Sequence, residues 1–139
     1  MEVFVSGQIN DVENIQSIQN RLVEAGHRIT HDWTRNETGE GKMLGGQAAK
    51  FANPEESARR ATNDLQGVVD SDVYILCSDN EKVGKGMYVE LGAALALNVA
   101  NGSPRVYIIG EMNHSSIFYF HPSVILGKSI DDIIDEIAG

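Results

Sequence analysis

The sequence predicts an α/β fold, a doubly wound, mostly parallel five-stranded sheet with helices on both faces. Two patterns predict it. Short apolar runs rich in β-forming residues alternate along the chain with longer segments of helical periodicity. Glycine or polar turns separate these segments, and strands that alternate with helices form parallel sheets with right-handed crossovers.

The first predicted strand runs from Glu2 to Ser6 and closes at Gly7. Asn10 or Asp11 can cap the helix that follows. Gly26 ends this helix, since glycine is favoured at the left-handed position after a helix. Apolar residues recur at helical spacing on its inward face: Ile15, Ile18, Leu22 and Val23.

The second predicted strand, His27 to His31, leads into a long segment rich in glycine and polar residues, Arg35 to Phe51. Loops of this length in compact domains are commonly lids or binding loops, so we expect a flap over a crevice here. Asn53 caps the next helix, Pro54 takes its first position, and the helix runs to about Val69.

The C-terminal half continues the alternation. The third predicted strand is Asp72 to Ser78, and an alanine-rich helix follows it after a glycine turn. Arg105 to Gly110 is the fourth strand and Ser123 to Leu126 a short fifth one. Ser129 caps a final amphipathic helix with four inward isoleucines: Ile130, Ile133, Ile134 and Ile137.

Length and composition predict one domain over residues 1–139, with enough apolar residues for a core of its own. The hydrophobic fraction is 42% and the charged fraction 22%, as in ordinary globular proteins. A net charge of −9 argues against a nucleic-acid polymer as partner, because such surfaces are normally basic. We therefore expect a small-molecule ligand.

The chain begins directly with a strand, and no apolar run approaches membrane length, so we expect a cytoplasmic protein without a membrane partner. Its one cysteine, Cys77, lies in a predicted strand and is expected to be a small buried apolar residue. The histidines lack a neighbouring cluster of acidic ligands, so no metal and no other cofactor is expected.

Glu90 is the first candidate for chemistry. It follows a buried strand through a Gly-x-Gly turn and is expected in the first turn of an apolar helix, where open α/β sheets have their ligand crevice. Val89, Leu91 and Ala93 leave almost no polar face around it, and burying a carboxylate is costly. The alternative is a solvated charge favoured by the helix dipole.

The turn itself, Gly84-Lys85-Gly86, lacks the third glycine of a dinucleotide fingerprint and the ending of a P-loop. It favours an anionic ligand close to backbone N–H groups at a helix N-terminus, with Lys85 as an added cation. A solvated loop lysine is the alternative for Lys85.

Two further carboxylates are predicted near the same crevice. Asp64 lies in the C-terminal part of its helix, where the dipole disfavours a negative charge, beside a core face expected at Leu65, Val68 and Val69. Asp79 follows the third strand and faces the crevice. A surface residue and an ordinary turn residue are the respective alternatives.

These residues resemble the nucleoside 2-deoxyribosyltransferase family, including its 2-deoxynucleoside 5-monophosphate N-hydrolase branch. The resemblance rests on the first strand and its turn at 3–7, the Asn-Asp-Leu-Gln-Gly segment at 63–67 and the Gly-Met-x-x-Glu-Leu-Gly segment at 86–92. It implies a flavodoxin-like (Rossmann-like) fold assembled as a homodimer or larger homo-oligomer. It also implies that Glu90 is the nucleophile at C1 of the sugar and Asp64 the acid that assists the leaving base.

The implied activity is cleavage or transfer of the N-glycosidic bond of a nucleoside or nucleoside 5-monophosphate. Such a bond breaks through an oxocarbenium-like state, which a carboxylate stabilises or captures covalently. Trp33 or Tyr88 can stack on the base, with core packing as the alternative for Trp33. Ser6, Gly7 and Gln8, at the end of the first strand, can contact the sugar or phosphate.

The chain departs from the family pattern at two places. Tyr88 and Val89 separate the Gly-Met pair from Glu90, and the segment 113–122 does not match the part of a neighbouring subunit that completes transferase sites. Two other functions therefore stay open: a non-catalytic nucleotide-binding module on the same fold, and a glycohydrolase of the NAD or ADP-ribose type.

Overall fold

The centre of the molecule is a five-stranded sheet with the strand order β2-β1-β3-β4-β5, in which every pair is parallel. In this computed structural model the described residues are 1–35, 53–78, 85–112 and 116–138. The strands are β1 Glu2–Ser6, β2 Arg28–Ile29, β3 Val73–Cys77, β4 Arg105–Ile109 and β5 Val124–Ile125. The sheet confirms the predicted doubly wound α/β class.

Four α-helices lie between or after these strands in the described parts of the chain: α1 Val12–Glu24, α2 Pro54–Val69, α3 Lys85–Asn101 and α4 Ile130–Ala138. Two 3-10 helices accompany them, Ile9–Asp11 and Ile117–Phe120. None of the described helices has the length and apolarity needed to cross a membrane.

The helices cover the two faces of the sheet as separate layers. Apolar side chains of α1 and α4 pack on one face, against inward residues of β1, β3 and β4. Residues of α2 and α3 pack on the other face together with Tyr119. Each layer buries an apolar cluster, which is the main source of stability in such a fold.

The strand order predicts where a ligand-binding crevice lies. From β1 the chain moves outward to β2, and then returns past β1 to β3, so the direction of winding reverses between β1 and β3. Open α/β sheets bind ligands beyond the carboxyl ends of the strands at this reversal. Here β1 ends at Ser6, paired in register with Leu76 of β3, on the face covered by α2 and α3.

Several local predictions are confirmed. Gly26 has a φ of 95°, the left-handed conformation expected after α1. Pro54 opens α2, and Ser129 and Asp132 exchange the two hydrogen bonds of a capping box at 3.1 Å each. The buried isoleucines of α4 include Ile133 and Ile137, as expected.

Other local predictions are wrong. Asp11 precedes α1 but makes no side-chain cap, because its carboxylate accepts from Asn14 instead. Val23, predicted to face inward, is 55% exposed. Leu65 and Val69, predicted on the core face of α2, are also exposed, and only Val68 of that set is buried.

The helix α3 begins earlier than the sequence suggested. Its first residue is Lys85, so Glu90 is the sixth residue and lies in the second turn, not the first. The helix is also less buried than its composition suggested, because Val89 and Val99 are exposed while Leu91 and Leu95 are buried. The predicted flap over 35–51 lies, after Arg35, outside the described residues.

Candidate active site

Glu90 points from the second turn of α3 toward the carboxyl end of β1. The hydroxyl of Ser6, the last residue of β1, donates a hydrogen bond of 2.7 Å to Glu90 Oε1. Burial raises the pKa of Glu90 from its ordinary 4.5 to about 8, although the Ser6 bond opposes this and the Asp64 charge adds to it. This carboxyl therefore carries a proton at neutral pH in the free protein.

Asp64 supplies a second carboxyl to the same crevice from the neighbouring helix α2. Its Oδ1 lies 3.2 Å from Nε2 of His31, a residue just beyond β2. Burial raises the pKa of Asp64, while the charges of His31 and Arg60 act in the opposite direction. Asp64 thus has a histidine and an arginine as neighbours, whereas Glu90 has a hydroxyl and a second carboxyl.

The close packing of α2 on the sheet brings Asp64 to His31. A β-carbon at Gly67, one turn after Asp64, would lie 2.8 Å from His31 Cβ and 2.8 Å from Phe4 Cδ2. Thr30 also donates a 2.7 Å hydrogen bond to the Gly67 carbonyl. Glycine is required at this position because any side chain would push α2 away from β1 and β2.

Tyr74, the second residue of β3, lies on the face of the sheet that α3 covers. Its ring stacks on Phe4, with centroids 6.1 Å apart and an interplanar angle of 6°. Its hydroxyl donates to the Met87 carbonyl in the first turn of α3 at 3.2 Å. Complete burial raises the pKa of Tyr74 well above its ordinary value, and the charge of Glu90 raises it further. The phenol is therefore neutral and close to Glu90.

Three of the predicted substrate contacts follow β1 or pack against it. Gly7 adjoins Ser6, and Gln8 is 6% exposed with a buried Nε2 that has no hydrogen-bond partner in the part of the chain that the structure describes. Trp33 donates its indole N–H to the Val5 carbonyl at 2.8 Å and packs against both apolar clusters. The Trp33 indole N–H is thus already used within the protein, while the Gln8 amide keeps a donor available.

Tyr88 lies away from this crevice. Two residues along an α-helix correspond to a rotation of about 200°, so Tyr88 and Glu90 lie on nearly opposite flanks of α3. The Tyr88 hydroxyl is 2.6 Å from that of Tyr119. Its ring borders a separate cavity of about 290 Å³, lined by Tyr88, Leu91, Gly92, Ser116 and Phe118.

The glycine turn is described in part. Gly86 lies exposed in the first turn of α3, with open space around it. Lys85 is placed by its backbone as the first residue of that helix. The predicted ligand contacts Asp79 and Gly84 lie outside the described residues.

Two residues of the site were missed from sequence. His31 stands directly after a strand end, where parallel sheets collect functional side chains, and that position is a usable signal. Tyr74 interrupts the apolar run of β3, and a buried phenol requires a hydrogen-bond partner. Neither signal predicts the contact that the residue makes, because Asp64 and Met87, the two partners, lie on other elements.

Comparisons with known proteins agree with this architecture. No protein-family model matches the chain, and no curated protein is significantly similar to it. Among solved structures, that of Clostridium botulinum CMP N-glycosidase, BcmB, is similar over 99% of this chain and 98% of that chain. The TM-score is 0.53 and the sequence identity 12%, so the likeness shows a shared fold.

At the carboxyl end of β1 the fold brings together two carboxyls, Glu90 and Asp64, with the Ser6 hydroxyl and the His31 ring. Two carboxyls in different surroundings can divide the work of nucleophile and general acid. A partly enclosed site also strengthens their action on a developing positive charge.

Proposed function

We propose that the protein cleaves or transfers the N-glycosidic bond of a nucleoside or nucleoside 5′-monophosphate, with Glu90 as the nucleophile. The observation that carries this proposal is the pair of carboxyls, Glu90 and the partly buried Asp64, that face one crevice at the carboxyl end of β1. The fold shared with a CMP N-glycosidase supports the class of reaction.

In the first step, one oxygen of the ionised Glu90 forms a bond to C1 of the sugar while the bond from C1 to the base nitrogen breaks. The electron pair of the broken bond goes to the base, which takes a proton from Asp64. The Ser6 hydroxyl donates a hydrogen bond to Glu90 Oε1 and so holds the nucleophile in position. The product is a glycosyl ester of Glu90 and a free base.

In the second step, water or another base attacks C1 and releases Glu90 as a carboxylate. The ionised Asp64 takes the proton that the attacking group loses, and His31 at 3.2 Å supports its negative charge. The choice between water and a base as acceptor separates a hydrolase from a transferase.

Gln8 is proposed as a substrate-binding residue. Gln8 is 6% exposed, and its buried Nε2 donor has no hydrogen-bond partner among the described residues. A buried donor without a partner is costly, and an oxygen of a sugar or phosphate would satisfy it. We expect Gln8→Met to raise KM more than it lowers kcat.

The first experiment is chromatographic detection of free base from a panel of ribo- and deoxyribonucleosides, their 5′-monophosphates and NAD. We expect base release that Glu90→Gln abolishes and that Asp64→Asn lowers by about 10²–10⁴-fold, the usual contribution of a general acid. Glu24→Gln, an exposed carboxylate at the end of α1, is the control for loss of one charge. Base exchange with an added acceptor would identify a transferase.

A mechanism-based trap tests the nucleophile separately. A 2-fluoro-2-deoxynucleoside slows the second step, so the glycosyl ester accumulates, and peptide mass spectrometry locates it. A label on Glu90 is expected. A label on Asp64 would mean that Asp64 is the nucleophile and Glu90 the acid. Tight nucleotide binding without any turnover would mean that the protein is a non-catalytic nucleotide-binding module. Activity that requires a 2-hydroxyl would favour the NAD or ADP-ribose type.

We also propose that the protein forms a homo-oligomer through the outer face of α3. Val89 is 69% exposed there, and Ile117 and Phe120 of the neighbouring 3-10 helix are 80% and 71% exposed. An apolar surface of this kind is typical of an interface. Light scattering after chromatography of the wild type and of Val89→Asp tests it, since a buried aspartate would dissociate the assembly.

A further inference from the structure

His31 and Asp64 bring together two polar atoms that depend on each other. Nε2 of His31 lies 3.2 Å from Oδ1 of Asp64. Both atoms are buried, and neither makes an aligned hydrogen bond within the part of the chain that the structure describes. A buried polar atom without a hydrogen bond is costly, so each of the two groups gains when the contact between them tightens.

The packing of the main chain holds the His31 ring beside the Asp64 carboxyl. Thr30 donates a 2.7 Å hydrogen bond to the Gly67 carbonyl, which ties the residue before His31 to the turn of α2 after Asp64. The approach is close, because a β-carbon at Gly67 would lie 2.8 Å from His31 Cβ. The two side chains are therefore kept at a fixed separation before any substrate binds, as preorganised groups are.

The two oxygens of Asp64 have different surroundings. Oδ1 is buried beside the His31 ring. The Asp64 side chain is nevertheless 28% exposed, so its accessible part lies on the side of the second oxygen, Oδ2. Oδ2 is thus the oxygen that a ligand in the crevice can reach.

A donor at Oδ1 decides where the acid proton of Asp64 resides. When Nε2 of His31 carries a hydrogen, a proton on Oδ1 would face it as donor against donor, so the neutral carboxyl keeps its proton on Oδ2. After ionisation, the same N–H stabilises the negative charge on Oδ1. Contacts that are poorly aligned in a free enzyme commonly tighten at that stage.

We propose that His31 is a positioning residue for Asp64. Its Nε2–H holds Oδ1, directs the acid proton to Oδ2 and stabilises the carboxylate that remains after proton transfer. In that transfer the proton moves from Oδ2 to the base nitrogen whose bond to C1 breaks, and His31 loses no proton. The placement of the proton is a property of the free protein, and only its effect on turnover rests on the proposed function.

Other groups act on the same carboxyl and stay constant in the test. Arg60 lies one turn before Asp64 on α2, and its charge lowers the pKa of Asp64. The Arg60 guanidinium also contacts Glu56, with 3.5 Å between Nε and Oε1. Glu90 is the second carboxyl of the crevice, and the charge of Asp64 acts on it. Substitutions at His31 alone leave all three of these groups in place.

The first test determines the tautomer of His31 by ¹⁵N NMR of its ring nitrogens, with His31→Gln used to assign the signals. At a pH where the ring is neutral, its hydrogen should be on Nε2, and Asp64→Asn should shift that signal. His27, which precedes β2, provides a control signal that Asp64→Asn should leave unchanged. A hydrogen on Nδ1 in the folded wild type would overturn the proposal.

The second test compares bases that differ in how much they need a proton to leave. Uracil and guanine leave poorly without one, whereas 5-fluorouracil and 7-methylguanine leave more readily. His31→Leu should lower kcat for the first kind about 10–100-fold, as expected for a hydrogen bond to a charged group, with a much smaller loss for the second kind and little change in KM. His31→Gln keeps an N–H donor and should retain most of the activity, and His27→Leu is the control for loss of a ring beside β2.

An equal loss of kcat with both kinds of base would contradict the proposal, because a purely structural defect does not depend on the leaving base. A further loss when His31→Leu is added to Asp64→Asn would contradict it as well, since His31 is proposed to act through Asp64. Base release unaffected by Glu90→Gln would instead refute the proposed function, and the tautomer seen by NMR would still decide where the proton of Asp64 resides.

Discussion

The protonated state of Glu90 predicts a specific dependence of stability on pH. Its pKa is about 8 in the native protein against 4.5 ordinarily. Between these two values the native state binds one more proton than the unfolded chain, so stability falls as pH rises. The contribution is fully favourable below pH 4.5 and has been lost once the pH passes about 8.

The size of this effect follows from the two pKa values. At pH 5 the unfolded carboxyl has already lost most of its proton, while the native carboxyl keeps its proton until the pH approaches about 8. The linkage relation gives at most about 4 kcal/mol of lost stability from this one group. Structural relaxation around the buried charge makes the measured value smaller.

Glu90→Gln removes the titration but keeps the shape of the side chain. We expect its free energy of unfolding, from urea denaturation, to exceed that of the wild type increasingly between pH 5 and pH 9. Glu24→Gln should run parallel to the wild type, because Glu24 is exposed at the end of α1. A Glu90→Gln curve that stays parallel within about 0.5 kcal/mol would refute the desolvation of Glu90.

The remaining predictions concern the packing around the site and the start of α4. Gly67→Ala should destabilise the protein by about 1–3 kcal/mol, because its methyl group would overpack against His31 and Phe4; urea denaturation measures it, and an unchanged midpoint would contradict the close packing. His31→Ala should remove the neighbour 3.2 Å from Asp64 and raise the pKa of that carboxyl, as NMR titration would record, whereas a fall would contradict the pairing. Ser129→Ala should cost about 1 kcal/mol through loss of the capping box, with Ser123→Ala as the control outside a helix.

The strands of the sheet were predictable because each is a short, continuous apolar run. β1 matches its predicted bounds, Glu2 to Ser6, and β3 differs from its prediction by one residue at each end. The edge strand β2 was overestimated, since only Arg28–Ile29 pair with β1. Edge strands end where pairing ends, and composition does not mark that point.

Burial was less predictable than secondary structure. Val89 and Leu65 are as apolar as their buried neighbours, yet both are exposed. An apolar residue is favoured in a core and is equally compatible with a surface that another molecule contacts. The sequence pattern therefore identifies which helices are amphipathic but not which apolar face packs on the sheet.

The candidate site was predictable as a pair of acids but not as a network. Glu90 and Asp64 follow from glycine turns and helix positions along one chain segment each. The contacts with Ser6, Tyr74 and His31 join residues of separate strands and helices, and they depend on strand order and on the close approach of α2 at Gly67. Such contacts are set by tertiary packing, which a single sequence does not encode in local patterns.

The distribution of protons bears on the proposed chemistry. In the free protein the proton favours Glu90, whereas the proposed first step needs it on Asp64. A sugar that develops positive charge at C1 beside Glu90 stabilises the ionised form of that carboxyl, and the leaving base draws a proton from the Asp64 side. The reaction thus requires the substrate to reverse the order of the two carboxyls.

This reversal has a kinetic signature. Because the two acids interact, their pH profile belongs to the pair and not to either residue alone. The profile of kcat/KM reports the free protein, and its rising limb should reflect the carboxyl with a pKa near 8. The profile of kcat reports the bound state, so its rising limb should lie at lower pH if the substrate favours ionised Glu90. Equal limbs in the two profiles would mean that binding leaves the pKa of Glu90 unchanged. A falling limb near pH 8 in place of the rising one would mean that Glu90 must keep its proton, and Asp64 would then be the stronger candidate for the nucleophile.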